Sequence, residues 1–156
     1  MASNERQRLG PLLSAIAVTT SLVFVGLEVR NNTAAVRGAT MQSISDASSA
    51  YMFDMALDYD FSALVSRIFQ GATASEFTPT ENQQLIVNLV GYVRLLENTY
   101  LQEREGLVSD AVYESYGWND AVLRVPYFAE FWAASAAGVV SPEFRRFFES
   151  RVKIGP

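Results

Sequence analysis

Nineteen consecutive residues from Leu9 to Leu27, LGPLLSAIAVTTSLVFVGL, carry no charge, and a chain with such a run has few ways to fold. At about 1.5 Å of rise per residue a helix of that length measures roughly 28 Å, close to the hydrocarbon thickness of a bilayer. Its hydroxyl residues Ser14, Thr19, Thr20 and Ser21 are compatible with lipid, because a hydroxyl can bond the carbonyl one turn back along its own helix. A core helix of a small soluble domain would ordinarily show one polar face, and this run shows none. The expectation is a transmembrane helix over residues 9–29, preceded by a polar tail (1–8) and followed by an extramembrane α-helical domain (30–156). The apolar run exceeds a typical signal-peptide core and no small-x-small site closes it, so the anchor is expected to be retained.

Beyond the span about 130 residues remain, enough for one small helical core and too few for two domains. The chain holds neither cysteine nor histidine. The first absence excludes disulfides, thiolate metal sites and cysteine nucleophiles; the second removes the side chain most used for proton transfer at neutral pH and for transition metals. Residues 31–156 carry nine basic residues against fifteen acidic ones, a net charge of about −6. Such a surface, without a basic stripe, argues against nucleic acid and gives no general attraction to anionic lipid.

Residues 28–57 contain no proline, and Gly38 is a mild breaker, so the helix is expected to continue past the membrane. Thr33, Val36, Thr40, Ile44, Ala47, Tyr51 and Met55 recur at helical spacing and form one semi-apolar stripe. Small residues crowd its beginning. Ala34, Ala35, Gly38 and Ala39, with the amides of Asn31 and Asn32, form a candidate partner-binding surface, because small side chains let a neighbouring helix approach closely.

Further on, Asp60 is placed to cap a short helix through Phe61, Leu64, Val65, Ile68 and Phe69, with Gly71 ending it. Thr78, Pro79 and Glu81 form a capping box with proline at the first helical position, which predicts a helix over 79–104. Its buried face is expected to comprise Leu85, Leu89, Tyr92, Val93, Leu96 and Tyr100, widened by Ile86, Val90 and Leu101, and Gly106 stops it. Ser109 or Asp110 starts a helix expected to run through Gly117 to Val122 and Leu123. Pro126 opens an aromatic helix closed by Gly138, and Ser141-Pro142-Glu143 begins the last one. No stretch alternates like a strand. The class is all-α.

Tyr127, Phe128, Phe131, Trp132, Phe144, Phe147 and Phe148 cluster near the C-terminus. Short helices need large side chains to fill a core, but the same cluster could hold a lipid or small molecule. Glu97, Glu103 and Glu105 with Arg94 and Arg104 invite a carboxylate metal site. A di-iron bundle, however, also needs histidines, and pairing of Arg94 with Glu97 and of Arg104 with Glu103, at the surface or in a polar seam, is the simpler expectation. No phosphate-cradling glycine loop occurs, and the serines lack the base of a triad. The chain is not expected to be an enzyme, and no cofactor is implied.

The stretch SLVFVGLEVRNNTAAVRGAT, followed by ENTYLQEREGLVSD and SPEFRRFFE, resembles in kind and order an uncharacterised family of bacterial single-span membrane proteins with a helical domain after the span. The resemblance implies a bacterial inner-membrane location and carries no activity and no catalytic residues. Arg6 and Arg8 on one side of the span nearly balance Arg30 and Arg37 on the other, so the positive-inside rule leaves the membrane side open, with analogy favouring the cytoplasm. Function is therefore expected to be non-enzymatic: an interaction protein that self-associates or serves as an accessory subunit of a membrane complex. The alternative is a membrane-anchored sensor binding lipid or a small molecule through its aromatic C-terminal helices. If the run is an integral anchor, alkaline carbonate extraction leaves the full-length protein in the membrane pellet; release into the supernatant would contradict it.

Overall fold

One non-helical residue, Asp58, separates the first two helices of the chain. The structure is a computed structural model that describes residues 2–118 and 120–155. Among them six α-helices succeed one another: α1 (Ala2–Leu57), α2 (Tyr59–Phe69), α3 (Pro79–Arg104), α4 (Asp110–Ser115), α5 (Pro126–Val139) and α6 (Pro142–Arg151). Short 3₁₀ turns lie at Ala74–Glu76 and Ala121–Arg124, and no strand occurs among the described residues. The protein is all-α, with one long N-terminal apolar helix and a set of smaller ones. The chain divides into two compact units, Met1–Ala39 and Thr40–Pro156.

The first unit is helix alone. Helix α1 begins at Ala2, inside the stretch expected as a polar tail. Among the described residues one helix, from Leu13 on, is long and apolar enough to cross a membrane, and none of its apolar window is buried. Thr19 Oγ1 donates to the Ala15 carbonyl and Ser21 Oγ to that of Ala17, both at 2.9 Å, the back-bonding that removes a free hydroxyl from an apolar surface.

The second unit is organised by α3, which packs against α2, α4 and α5. Its bounds and cap match the sequence pattern: Thr78 Oγ1 accepts from the Glu81 amide, and the Glu81 carboxylate accepts from the Thr78 amide at 2.7 Å. Gly106, at φ +68°, lets the Leu107 amide return to the Gln102 carbonyl at 2.9 Å and so ends the helix. Leu85, Leu89, Tyr92, Val93, Leu96 and Tyr100 are all buried. Leu101 instead remains exposed, because it falls outside the arc that α2, α4 and α5 cover.

The C-terminal aromatics fill the core. Phe128, Phe144 and Phe148 have no exposed surface, and Trp132 lies 4.6 Å from Phe148 between ring centroids. Trp132 Nε1 donates to Glu149 at 3.1 Å, so its one polar atom is satisfied. The terminal segment is tied back by the Gly155 amide, which donates to the Leu123 carbonyl at 3.0 Å.

Four expectations are corrected. The cap of α2 is Asp58, whose carboxylate accepts from the Phe61 amide at 2.9 Å; Asp60 lies within the first turn. Of the stripe on α1, Ile44 is buried and Thr40, Tyr51 and Met55 are half-buried, but Ala47 is exposed and Ser48 takes the inward place. Helix α4 stops at Ser115 rather than reaching Leu123, because the Trp118 indole folds back to donate to the Tyr113 carbonyl at 2.7 Å. Helix α5 passes Gly138 and ends at Val139, where Pro142 forces Ser141 into extended backbone.

Glu97 and Arg104 also find partners outside their own helix. The Glu97 side chain is buried, yet it accepts from the Ser141 amide at 2.7 Å and from Arg94 at 2.8 Å. Arg104 pairs with Glu143 of α6 rather than with Glu103. Burial opposes the Glu97 charge, but the bonds from Ser141 and Arg94 outweigh it and hold the carboxyl below its ordinary 4.5. Because the folded value is depressed, the stabilisation is present above that pH and is lost as pH falls below it. The melting temperature reads both local devices. Glu97→Gln should lower it at pH 7 and narrow the gap to wild type below about pH 4. Thr78→Ala should cost about 1 kcal/mol at any pH in that range.

Candidate functional site

The six residues singled out on α1 all lie in the first unit. At about 100° per residue, Ala34, Gly38, Asn31, Ala35, Ala39 and Asn32 fall on one arc of roughly 160°, with Thr33, Val36 and Arg37 on the opposite side. Every one of the six is exposed. A Cβ added at Gly38 would meet nothing within 4 Å, so the helix surface there is open. The structure thus places the six on one continuous helical face.

A second site lies within the second unit and was not anticipated. Four segments far apart in sequence enclose a cavity of about 270 Å³: Ser48–Met55 of α1, Val65–Phe69 of α2, Leu85–Leu96 of α3 and the loop 116–122. Each contributes for a local reason. Ser48, Tyr51, Met52 and Met55 recur at three- and four-residue steps and share one side of α1. Val65, Ile68 and Phe69 do the same on α2, and Leu85, Leu89, Tyr92 and Leu96 on α3. The loop is held by Trp118, 3% exposed, with its indole anchored to α4.

Two polar pairs stand in this apolar wall. The Tyr51 hydroxyl donates to Asn88 Oδ1 at 2.6 Å. The Tyr92 hydroxyl donates to the Asp120 carboxylate, with the Gly117 carbonyl 3.2 Å away. The two rings lie 6.1 Å apart between centroids. Burial pushes the Tyr51 hydroxyl up to about 12, partly offset by Asn88. Burial, the hydrogen bond to Asp120 and its charge, and nearby Tyr51 push Tyr92 higher still. Both phenols therefore remain protonated at neutral pH and donate hydrogen bonds through their hydroxyls. No group of three carboxylates converges to hold a metal ion among the described residues.

The expected aromatic pocket has a different character. Tyr127, Phe128, Phe144 and Phe148 are buried against one another and their neighbours, and none of them lines the cavity on the Tyr51 side. The sequence signal for the cavity is slight: Tyr51 and Met55 belong to the recognised stripe, but nothing local to Asn88 or Asp120 announces a site. Comparison with known proteins adds no relative, since no family model, no curated protein and no solved structure matches this chain.

Gly117 closes the loop side of the cavity. A Cβ there would lie 2.8 Å from the Tyr92 hydroxyl oxygen and collide with the Asp120 carboxylate. Gly117→Ala should destabilise the protein by about 1–3 kcal/mol, the usual effect of overpacking. Chemical denaturation checks this, and a midpoint equal to wild type would show that the loop yields without loss.

Proposed function

We propose that this chain is a single-span protein of the bacterial inner membrane whose helical domain works as a non-enzymatic interaction module, self-associating or serving as an accessory subunit of a larger membrane assembly. The observation that carries the reading is the surface of α1 between Leu13 and Val29, where nine large apolar side chains are each more than half exposed. Water is a poor environment for that surface, and a bilayer is a good one. The resemblance of the SLVFVGLEVRNNTAAVRGAT stretch to bacterial single-span proteins supports the location and favours a cytoplasmic domain.

The interaction role rests on the helix face just past the span. Lipid supplies no hydrophobic drive for helices to associate, so a single span held in a complex depends on close backbone packing, hydrogen bonds or contacts outside the bilayer. The face of Asn31, Asn32, Ala34, Ala35, Gly38 and Ala39 offers both small side chains and amides on an open helix. A non-enzymatic role agrees with a sequence lacking histidine and cysteine and with protonated buried phenols.

Replacing Gly38 and Ala39 with leucine raises helix propensity at position 38 while adding bulk to the face. Blue-native electrophoresis of wild type and this double variant from the same membranes tests the proposal. A shift of the variant to a smaller species is expected. Identical large species, or a wild type that already migrates as a lone monomer, would overturn it.

A further inference from the structure

The 270 Å³ recess beside Tyr51 opens to the surface past Met52 and Phe69, and a concave, largely apolar recess with a few polar groups is the usual form of a small-molecule site. An apolar cavity of about 150 Å³ accepts benzene. By that scale this one takes roughly ten to eleven non-hydrogen atoms. The wall is mainly aliphatic and aromatic, from residues such as Val65, Ile68, Phe69, Leu89 and Leu96. Among the described residues no lysine or arginine lines it, and the charged group present, Asp120, is a carboxylate already receiving the Tyr92 hydroxyl. A ligand anion would find no counter-ion there and would face a like charge. Apart from the Asp120 carboxylate, the polar groups left for a ligand are neutral. Asn88 uses Oδ1 to accept from Tyr51, which leaves its Nδ2 as a donor with no partner among the described residues. Both Asn88 and Tyr51 are half-buried, within reach of the cavity.

We infer that this cavity is a binding site for a small neutral molecule, largely apolar and of about ten non-hydrogen atoms, whose single carbonyl accepts from Asn88 Nδ2. Apolar burial supplies the affinity, and the amide fixes which end of the molecule lies at the Tyr51–Asn88 side. Tyr51 orients the Asn88 amide by occupying its oxygen and is a positioning residue. Met52, 59% exposed, stands at the rim where a ligand would enter. This site is independent of the helix face around Gly38, which lies in the other unit.

The test uses the purified full chain in one detergent at fixed concentration and the probe 2-nonanone, compared with nonanoate and octyltrimethylammonium. Binding is read by titration calorimetry and by melting temperature, which a ligand raises only if it binds the folded state. Ser48→Phe fills the cavity from α1 and controls for partition of the probe into micelles; Met52→Trp narrows the exposed rim and serves if Ser48→Phe loses helicity. Wild type is expected to take up one 2-nonanone per chain saturably and to melt at a higher temperature. Either filling variant that keeps wild-type helicity should weaken binding at least about tenfold, and Asn88→Leu should weaken it about tenfold through the lost hydrogen bond. Uptake in wild type no greater than in the filling variants would overturn the inference. So would nonanoate or the ammonium ion binding as tightly as the ketone, or Asn88→Leu binding as tightly as wild type.

Discussion

The apolar surface of α1 is disfavoured in water and favoured in hydrocarbon, which makes it the strongest single constraint on where the chain can reside. From Leu13 to Val29, nine large apolar side chains are 54% to 68% exposed. At roughly 25 cal/mol per Å² of apolar surface, leaving them in water forfeits on the order of 10 kcal/mol, comparable to the whole stability of a typical small domain. No arrangement of caps or surface ion pairs offsets a term of that size. The helix meets the other demand of lipid internally, since its backbone is bonded within the segment and Thr19 and Ser21 return their hydroxyls to it.

The second unit solves a different problem, that of holding short helices around one long one. Helices α4, α5 and α6 have 6, 14 and 10 residues, too short to be stable alone in water. They are kept by large aromatic side chains and by polar bonds that cross between elements. Glu97 on α3 accepts from the Ser141 amide just before α6, which ties the start of that helix to α3. Tyr127 on α5 donates to Asn82 Oδ1 at 2.8 Å, and Asn82 Nδ2 donates to the Ala74 carbonyl at 2.9 Å, so α5, α3 and the loop before α3 are linked through one side chain. Arg67 closes the other side, stacked 4.1 Å above the Phe77 ring and bonded to Glu81. The space beside Tyr51 lies instead among α1, α2, α3 and the loop 116–122, away from the packed aromatics of α5 and α6.

How much of the fold was legible in the sequence depends on the range of the physics involved. Helix α3 can be placed from its own residues because both ends are local: Thr78, Pro79 and Glu81 at one, Gly106 at the other. Its face is periodic, and α5 and α6 likewise begin at prolines. The misplaced features depend on partners elsewhere in the chain. Asp58 and Asp60 are equally good caps by type, and the choice is made by where α1 ends. Nothing in YESYGWND says that α4 stops at Ser115; that depends on the Trp118 indole reaching the Tyr113 carbonyl and on the Tyr92 hydroxyl meeting Asp120. The candidate face on α1 is readable because small side chains at helical spacing are a local pattern. The cavity is not, since Tyr51, Asn88 and Asp120 come from three distant segments and no spacing rule relates them.

The absence of cysteine permits a direct measurement of where α1 resides. Val23→Cys and, separately, Ser49→Cys can each be labelled with a nitroxide at a single site in the full chain reconstituted in lipid bilayers, and the label's collisions with oxygen and with a water-soluble nickel chelate compared. Oxygen concentrates in hydrocarbon and the chelate in water. The account predicts that the label at Val23 is reached readily by oxygen and hardly at all by nickel, with the opposite balance at Ser49. Nickel reaching Val23 as freely as Ser49 would contradict a membrane-spanning helix.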